Sequence, residues 1–111
     1  MITADDELIR EMTETLVERI NPIQVYLFGS RATGVARPDS DVDLLIVVDQ
    51  VFGPTLSRRT EVARIRKLLS GFKVPKDILL YGSDEVARWR NARNHVVSHC
   101  LREGKLLYER S

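Results

Sequence analysis

Apolar residues recur at Leu8, Ile9, Met12, Leu16, Val17 and Ile20, the three-and-four spacing that gathers side chains on one face of a helix. Thr3 with Asp6 three residues later supplies an N-cap and an early acid. Asn21-Pro22 ends the helix near Ile20, because proline cannot continue the hydrogen-bond ladder. The pattern then shortens. Ile23 to Phe28 is a compact run of branched and aromatic residues that suits a buried strand, Ser30 to Gly34 a capped helical turn, and Ala36 to Ser40, with Pro38, a loop. Val42 to Val48 is almost continuously apolar, as expected of a central strand covered on both faces.

Helical spacing returns from Thr55 to about Leu69, with Leu56, Val62, Ile65, Leu68 and Leu69 on one face and Gly71 as the closing residue. Lys76 to Tyr81 predicts a third strand, and Gly82-Ser83-Asp84 a turn that caps the next helix. Val86, Trp89, Val96, Val97, Cys100 and Leu101 carry helical positions down to Gly104, broken near residues 91–94, and Lys105 to Glu109 adds a short strand or an extended tail. An order of helix, strand, strand, helix, strand, helix predicts an α/β (α+β) chain with a small mixed sheet, backed by helices on one face and open on the other.

At 111 residues the chain fits a single domain spanning 1–111, with no room for a second substrate-binding domain. Its 43% hydrophobic and 30% charged residues are ordinary for a soluble protein. A net charge of +1 argues against direct nucleic-acid binding. Seven basic residues against the single acid Glu61 lie between Arg58 and Lys76, and read as the solvated face of a helix. Cys100 is the only cysteine, so no disulfide framework is expected. The acidic start resembles no signal or transit peptide, and no segment approaches the length of a membrane span, which together predict a cytoplasmic protein.

The candidate chemistry lies between Phe28 and Val48. Residues two apart on a strand point to one side, so Asp41 and Asp43 present their carboxylates together while Val42 faces away. Paired carboxylates suit Mg²⁺, which keeps some waters and completes its shell with substrate phosphates. Asp43 sits inside a buried-looking run, where a carboxylate is costly unless a cation compensates. At Gly29-Ser30, glycine lets a phosphate approach backbone N–H groups and serine adds a hydroxyl donor. Arg31 and Arg37 flank this turn, and each reads equally as a phosphate contact or as a solvated side chain.

Gly29-Ser30, ten intervening residues, then Asp41-Val42-Asp43 at the head of an apolar run, with Gly34 and the Ser40-Asp41 pair, resemble the signature of the DNA polymerase beta type nucleotidyltransferase superfamily in its stand-alone minimal nucleotidyltransferase (MNT) branch. Thr33 departs from the family, whose members often carry Arg there. A looser likeness extends to Asp77 and the closing REGKLLYE. The resemblance implies the nucleotidyltransferase fold, with the Asp77 strand beside the Asp41 strand. It implies two Mg²⁺ ions held by Asp41, Asp43 and Asp77, the last nearest the attacking hydroxyl, and the ATP phosphates at Gly29, Ser30 and Arg31. The implied reaction moves AMP from ATP to an acceptor hydroxyl, with pyrophosphate leaving. Family members are commonly paired with HEPN proteins in toxin–antitoxin modules, the nucleotidyltransferase acting as antitoxin by adenylylating the toxin, so the resemblance implies a HEPN-family toxin as partner. Two other readings stand beside it: a binding-only antitoxin, and a small-molecule adenylyltransferase similar to aminoglycoside-modifying enzymes. Intact motif residues favour an enzyme, and homo-oligomerisation is left open.

The remaining reactive residues have plainer readings. His95 and His99, four apart, read as packing or surface histidines, since no zincin-like carboxylate lies between them. The Arg90 to His95 spacing loosely matches a HEPN ribonuclease motif, in a stretch so rich in arginine that such spacings arise by chance. Trp89 reads as core and Cys100 as a small buried hydrophobe.

Overall fold

The computed structural model describes residues 4–33 and 41–111, without the side chains at 4, 5, 30 and 33. The Thr3 cap, Gly34, Arg37, Pro38 and Ser40 lie outside the described residues. Helix α1 spans Ala4–Ile20 and buries Ile9, Met12 and Leu16. On its exposed side Arg10 reaches Glu14 at 3.1 Å and Glu7 at 3.4 Å, pairs worth a few tenths of a kcal/mol each. Asn21 takes a left-handed φ of 53° and its N–H donates to the Val17 carbonyl at 3.2 Å. That cap and Pro22 stop the helix as the sequence predicts.

Four strands, β1 (Gln24–Phe28), β2 (Val42–Val48), β3 (Lys76–Gly82) and β4 (Lys105–Glu109), form one sheet in the order β3-β2-β1-β4. β1 is antiparallel to both β2 and β4, whereas β3 lies parallel to β2. The parallel pair needs a crossover, which α3 (Arg58–Leu68) supplies. It begins at Arg58 rather than Thr55 because Ser57 is extended and its hydroxyl accepts from the Thr60 N–H at 3.2 Å. Leu69, not Gly71, forms its C-cap, with its N–H on the Ile65 carbonyl.

The two faces of β2 explain its apolar run. Val42, Leu44, Ile46 and Val48 join Ile9, Met12, Leu16, Ile65 and Leu69 in the core beneath α1 and α3. Leu45 and Val47 point the other way, into a second cluster with Val86 of α4 (Ser83–Trp89) and Val97 and Cys100 of α5 (Val96–Glu103). A mixed sheet with helices is what the pattern predicts, but the second face is not open along its length. Leu45 and Val47 are 0% and 2% exposed, so α4 and α5 cover them, and truncating such a leucine to alanine typically costs about 2–5 kcal/mol.

The cover is locked in place at the far end of β3. Arg58 donates to both Glu85 carboxylate oxygens and to the Leu80 carbonyl, and its guanidinium lies 4.9 Å from the ring centroids of Phe52 and of Tyr81. Glu85 also accepts from the Gly82 N–H at 2.9 Å, which starts α4. Helix α5 follows the predicted break, with His95 as its N-cap. Among the described residues no helix is long and apolar enough to cross a membrane.

Candidate active site

Three strand ends meet at one end of the sheet, where β1 leaves at Phe28 and β2 and β3 enter at Val42 and Lys76. Asp43 is paired with Phe28 across the antiparallel ladder and with Asp77 across the parallel one. Residues paired in register point to the same face, so both carboxylates lie on the face that carries α4 and α5. The Asp77 side chain is 55% exposed, so that helical layer stops short of this end. Asp41 stands exposed two residues before Asp43. The structure therefore brings together the three acids that the sequence separates by as many as 36 positions.

Charge and burial act on Asp43 in the same direction. Partial removal from water raises its pKa above the ordinary carboxylate range, repulsion from Asp77 and then Asp41 raises it further, and Arg31 opposes them. Arg31 lies in the short helix α2 (Ser30–Thr33), where its Nε donates to the Asp41 backbone carbonyl at 3.3 Å.

Gly29 is required here for two reasons. Its φ is +76°, in the left-handed region, and a Cβ at this position would fall on Oδ2 of Asp43. The turn thus leaves room for the carboxylate. The Ser30 side chain is outside the described residues.

Asp77 has a cationic neighbour that the sequence pattern did not single out. Arg66 Nη2 is 3.7 Å from Asp77 Oδ1, and Nη1 donates to the Lys76 carbonyl at 3.2 Å. Arg66 belongs to the basic stretch read as a solvated face, and only the packing of α3 against β3 sets it beside an acid. Among the described residues no three acidic, histidine or cysteine side chains form a ready-made metal cage. The donor set nevertheless has the chemistry a hard divalent cation takes: carboxylates of Asp41, Asp43 and Asp77 gather at one strand end, where burial and then repulsion from Asp77 and Asp41 raise Asp43.

The two histidines do not share a ligand. His95 Nδ1 accepts from the Val97 N–H at 3.1 Å, whereas His99 Nδ1 lies 3.7 Å from Glu103. Cys100 is buried as expected; burial, with a smaller contribution from Asp43, pushes its thiol up to about 11. A cavity of about 630 Å³ between α1 and β4, lined by residues including Ile9, Thr13, Val17, Leu27 and Tyr108, contains none of the three acids. Leu27 belongs to the core on the α1 side of the sheet, so this cavity lies on the opposite face from Asp43.

A family model described as polymerase beta, nucleotidyltransferase, matches residues 10–111. Among solved structures, a protein assigned as a nucleotidyltransferase from Sulfolobus solfataricus is 23% identical with a TM-score of 0.58, over 94% of this chain and 79% of that one. A toxin–antitoxin structure with AMP-PNP is 22% identical with a TM-score of 0.61, over 92% and 74%. The toxin–antitoxin MntA-HepT is 20% identical with a TM-score of 0.57, over 94% and 72%. At these identities the likeness establishes a shared fold. No curated protein gives a significant match.

Proposed function

Since the chain belongs to the polymerase beta nucleotidyltransferase family, we propose that it transfers AMP from ATP to a hydroxyl of a partner protein, a HEPN-family toxin, and acts as the antitoxin of that pair. The observation that carries the reading is the in-register pairing of Asp43 with Asp77 next to the left-handed Gly29 turn. It sets a cation-demanding cluster beside a backbone that a phosphate can approach. The toxin–antitoxin structures of the same fold, one of them with AMP-PNP, support the choice of nucleotide and of partner class.

In this reading Asp41 and Asp43 would hold the cation that accompanies ATP, and Asp77 would join Asp43 in holding the one nearer the acceptor. Two Mg²⁺ ions supply charge neutralisation of the attacking and leaving oxygens when bound. Gly29 and Ser30 receive the terminal phosphates, Arg31 adds a charged contact, and Asp77 orients the acceptor hydroxyl. Most of the acceleration is then positioning and fixed charge.

The test is to incubate the chain with its toxin partner and Mg²⁺-ATP and weigh the partner intact. A gain of one AMP, lost with chelator, supports transfer. A stable complex with no added mass supports the binding-only reading. The absence of both a complex and added mass overturns the antitoxin assignment.

A further inference from the structure

The turn joining α4 to α5 corrects the sequence reading of Trp89. That residue belongs to neither hydrophobic cluster and is 37% exposed, because α4 ends at it and the chain turns away. It is nonetheless held firmly. The indole stacks on the His95 imidazole with centroids 4.5 Å apart and planes 5° from parallel. His95 is itself fixed by its bond from the Val97 N–H and by an edge contact with Tyr81, centroids 5.9 Å apart. One face of the indole is therefore occupied, and its exposed surface lies away from His95.

Three arginines flank this ring in the chain. Arg88, Arg90 and Arg93 are exposed, with Asn91 and Asn94 between and beyond them. Among the described residues Arg88, Arg90 and Arg93, like Arg19, Arg59 and Arg102, have no carboxylate within ion-pair range, although Arg88 acts electrostatically on Glu85. The nearest acids along the chain are Asp84 and Glu85, and both oxygens of Glu85 are already engaged by Arg58.

We propose that this turn is a second binding site, for single-stranded nucleic acid, in which Trp89 stacks on one base and the three arginines meet neighbouring phosphates. An acidic peptide satisfies the guanidiniums but leaves the pre-ordered indole face without a planar partner. A nucleotide strand supplies both groups at once. Base–aromatic stacking tolerates any sequence, and three phosphate contacts on a chain of net charge +1 give weak, salt-sensitive binding, on the order of 10⁻⁵ to 10⁻⁴ M. The site is independent of the acidic cluster and of the proposed transfer reaction.

Trp89 is the only tryptophan, so its fluorescence reports on the site directly. Titrate the full chain with a ten-nucleotide oligouridylate, and in parallel oligothymidylate, in EDTA at low salt. The expected result is saturable quenching of Trp89 and a slope of about −2 in the logarithm of affinity against that of salt. The double substitution R90E/R93E leaves the Trp89–His95 stack in place and should weaken binding at least tenfold. R59E, on α3, should not. Trp89→Ala, which leaves no tryptophan and is therefore read by the fluorescence anisotropy of a dye-labelled oligonucleotide, should weaken binding about tenfold. No quenching at about 1 mM oligonucleotide, equal affinity in R90E/R93E, or tighter binding of polyglutamate than of either oligonucleotide overturns the proposal, the last in favour of an acidic protein partner.

Discussion

Asp43 and Asp77 stand opposite each other in the parallel β2–β3 ladder, although 34 positions separate them in the chain. Sheet register, not a loop, sets their separation, so these two acids rest on the sheet itself. Because Asp43 is half-buried and Asp77 exposed, the two acids should differ in what they do.

Asp77→Asn should damage transfer more than nucleotide affinity. If Asp77 acts only beside the acceptor, its loss lowers the single-turnover rate by about 10²-fold or more and leaves ATP affinity within about threefold, the split expected of an interaction made in the transition state. Asp43→Asn should lose both. Single-turnover kinetics and calorimetry on the two variants check this, and wild-type transfer by Asp77→Asn would move the third carboxylate elsewhere.

Asp43 should cost the metal-free protein stability. Its folded pKa is raised, so its favourable contribution is full below the unfolded value of about 3.9 and is lost as pH rises through the folded value. Asp43→Asn should therefore raise stability in EDTA at pH 7 by about 0.5–1 kcal/mol, with the gain fading below pH 4. Denaturant unfolding at both pH values measures it; a variant less stable than wild type at pH 7 contradicts it.

At Gly29, alanine meets two obstacles. The left-handed φ of 76° alone costs an L-residue about 1–2 kcal/mol, and the added methyl must displace the Asp43 carboxylate. Gly29→Ala should lower the unfolding midpoint and weaken Mg²⁺-ATP binding together. A variant with wild-type nucleotide affinity would separate this turn from the site.

The Arg58–Glu85 lock predicts an acid limb in stability. The hydrogen bonds from Arg58 first, and the Gly82 N–H with them, hold Glu85 below the ordinary range against its burial. Its contribution is present above the unfolded value of about 4.3 and is lost as pH falls through the folded value. Arg58→Ala should cost about 1–3 kcal/mol at pH 7, and Glu85→Gln should flatten the fall in stability below pH 4.5. An unchanged acid limb in Glu85→Gln would assign it to other groups.

Local patterns determined much of this protein. The i, i+3, i+4 spacing in α1, the Asn21-Pro22 stop and the nearly continuous apolar run of β2 each follow from chemistry within one segment, and so does the shared orientation of Asp41 and Asp43. Thr55 was a false helix start because Ser57 is the better cap. What no local pattern carries is which segments meet. The register that sets Asp77 against Asp43, the α3 packing that delivers Arg66, and the carboxylate occupying the space a Cβ would take at Gly29 all join residues remote in the chain. Trp89 shows the same limit. Its apolar spacing with Val86 reads as core, but burial depends on where α4 ends relative to the sheet, and only the tertiary structure decided that the ring stacks on His95 and meets solvent.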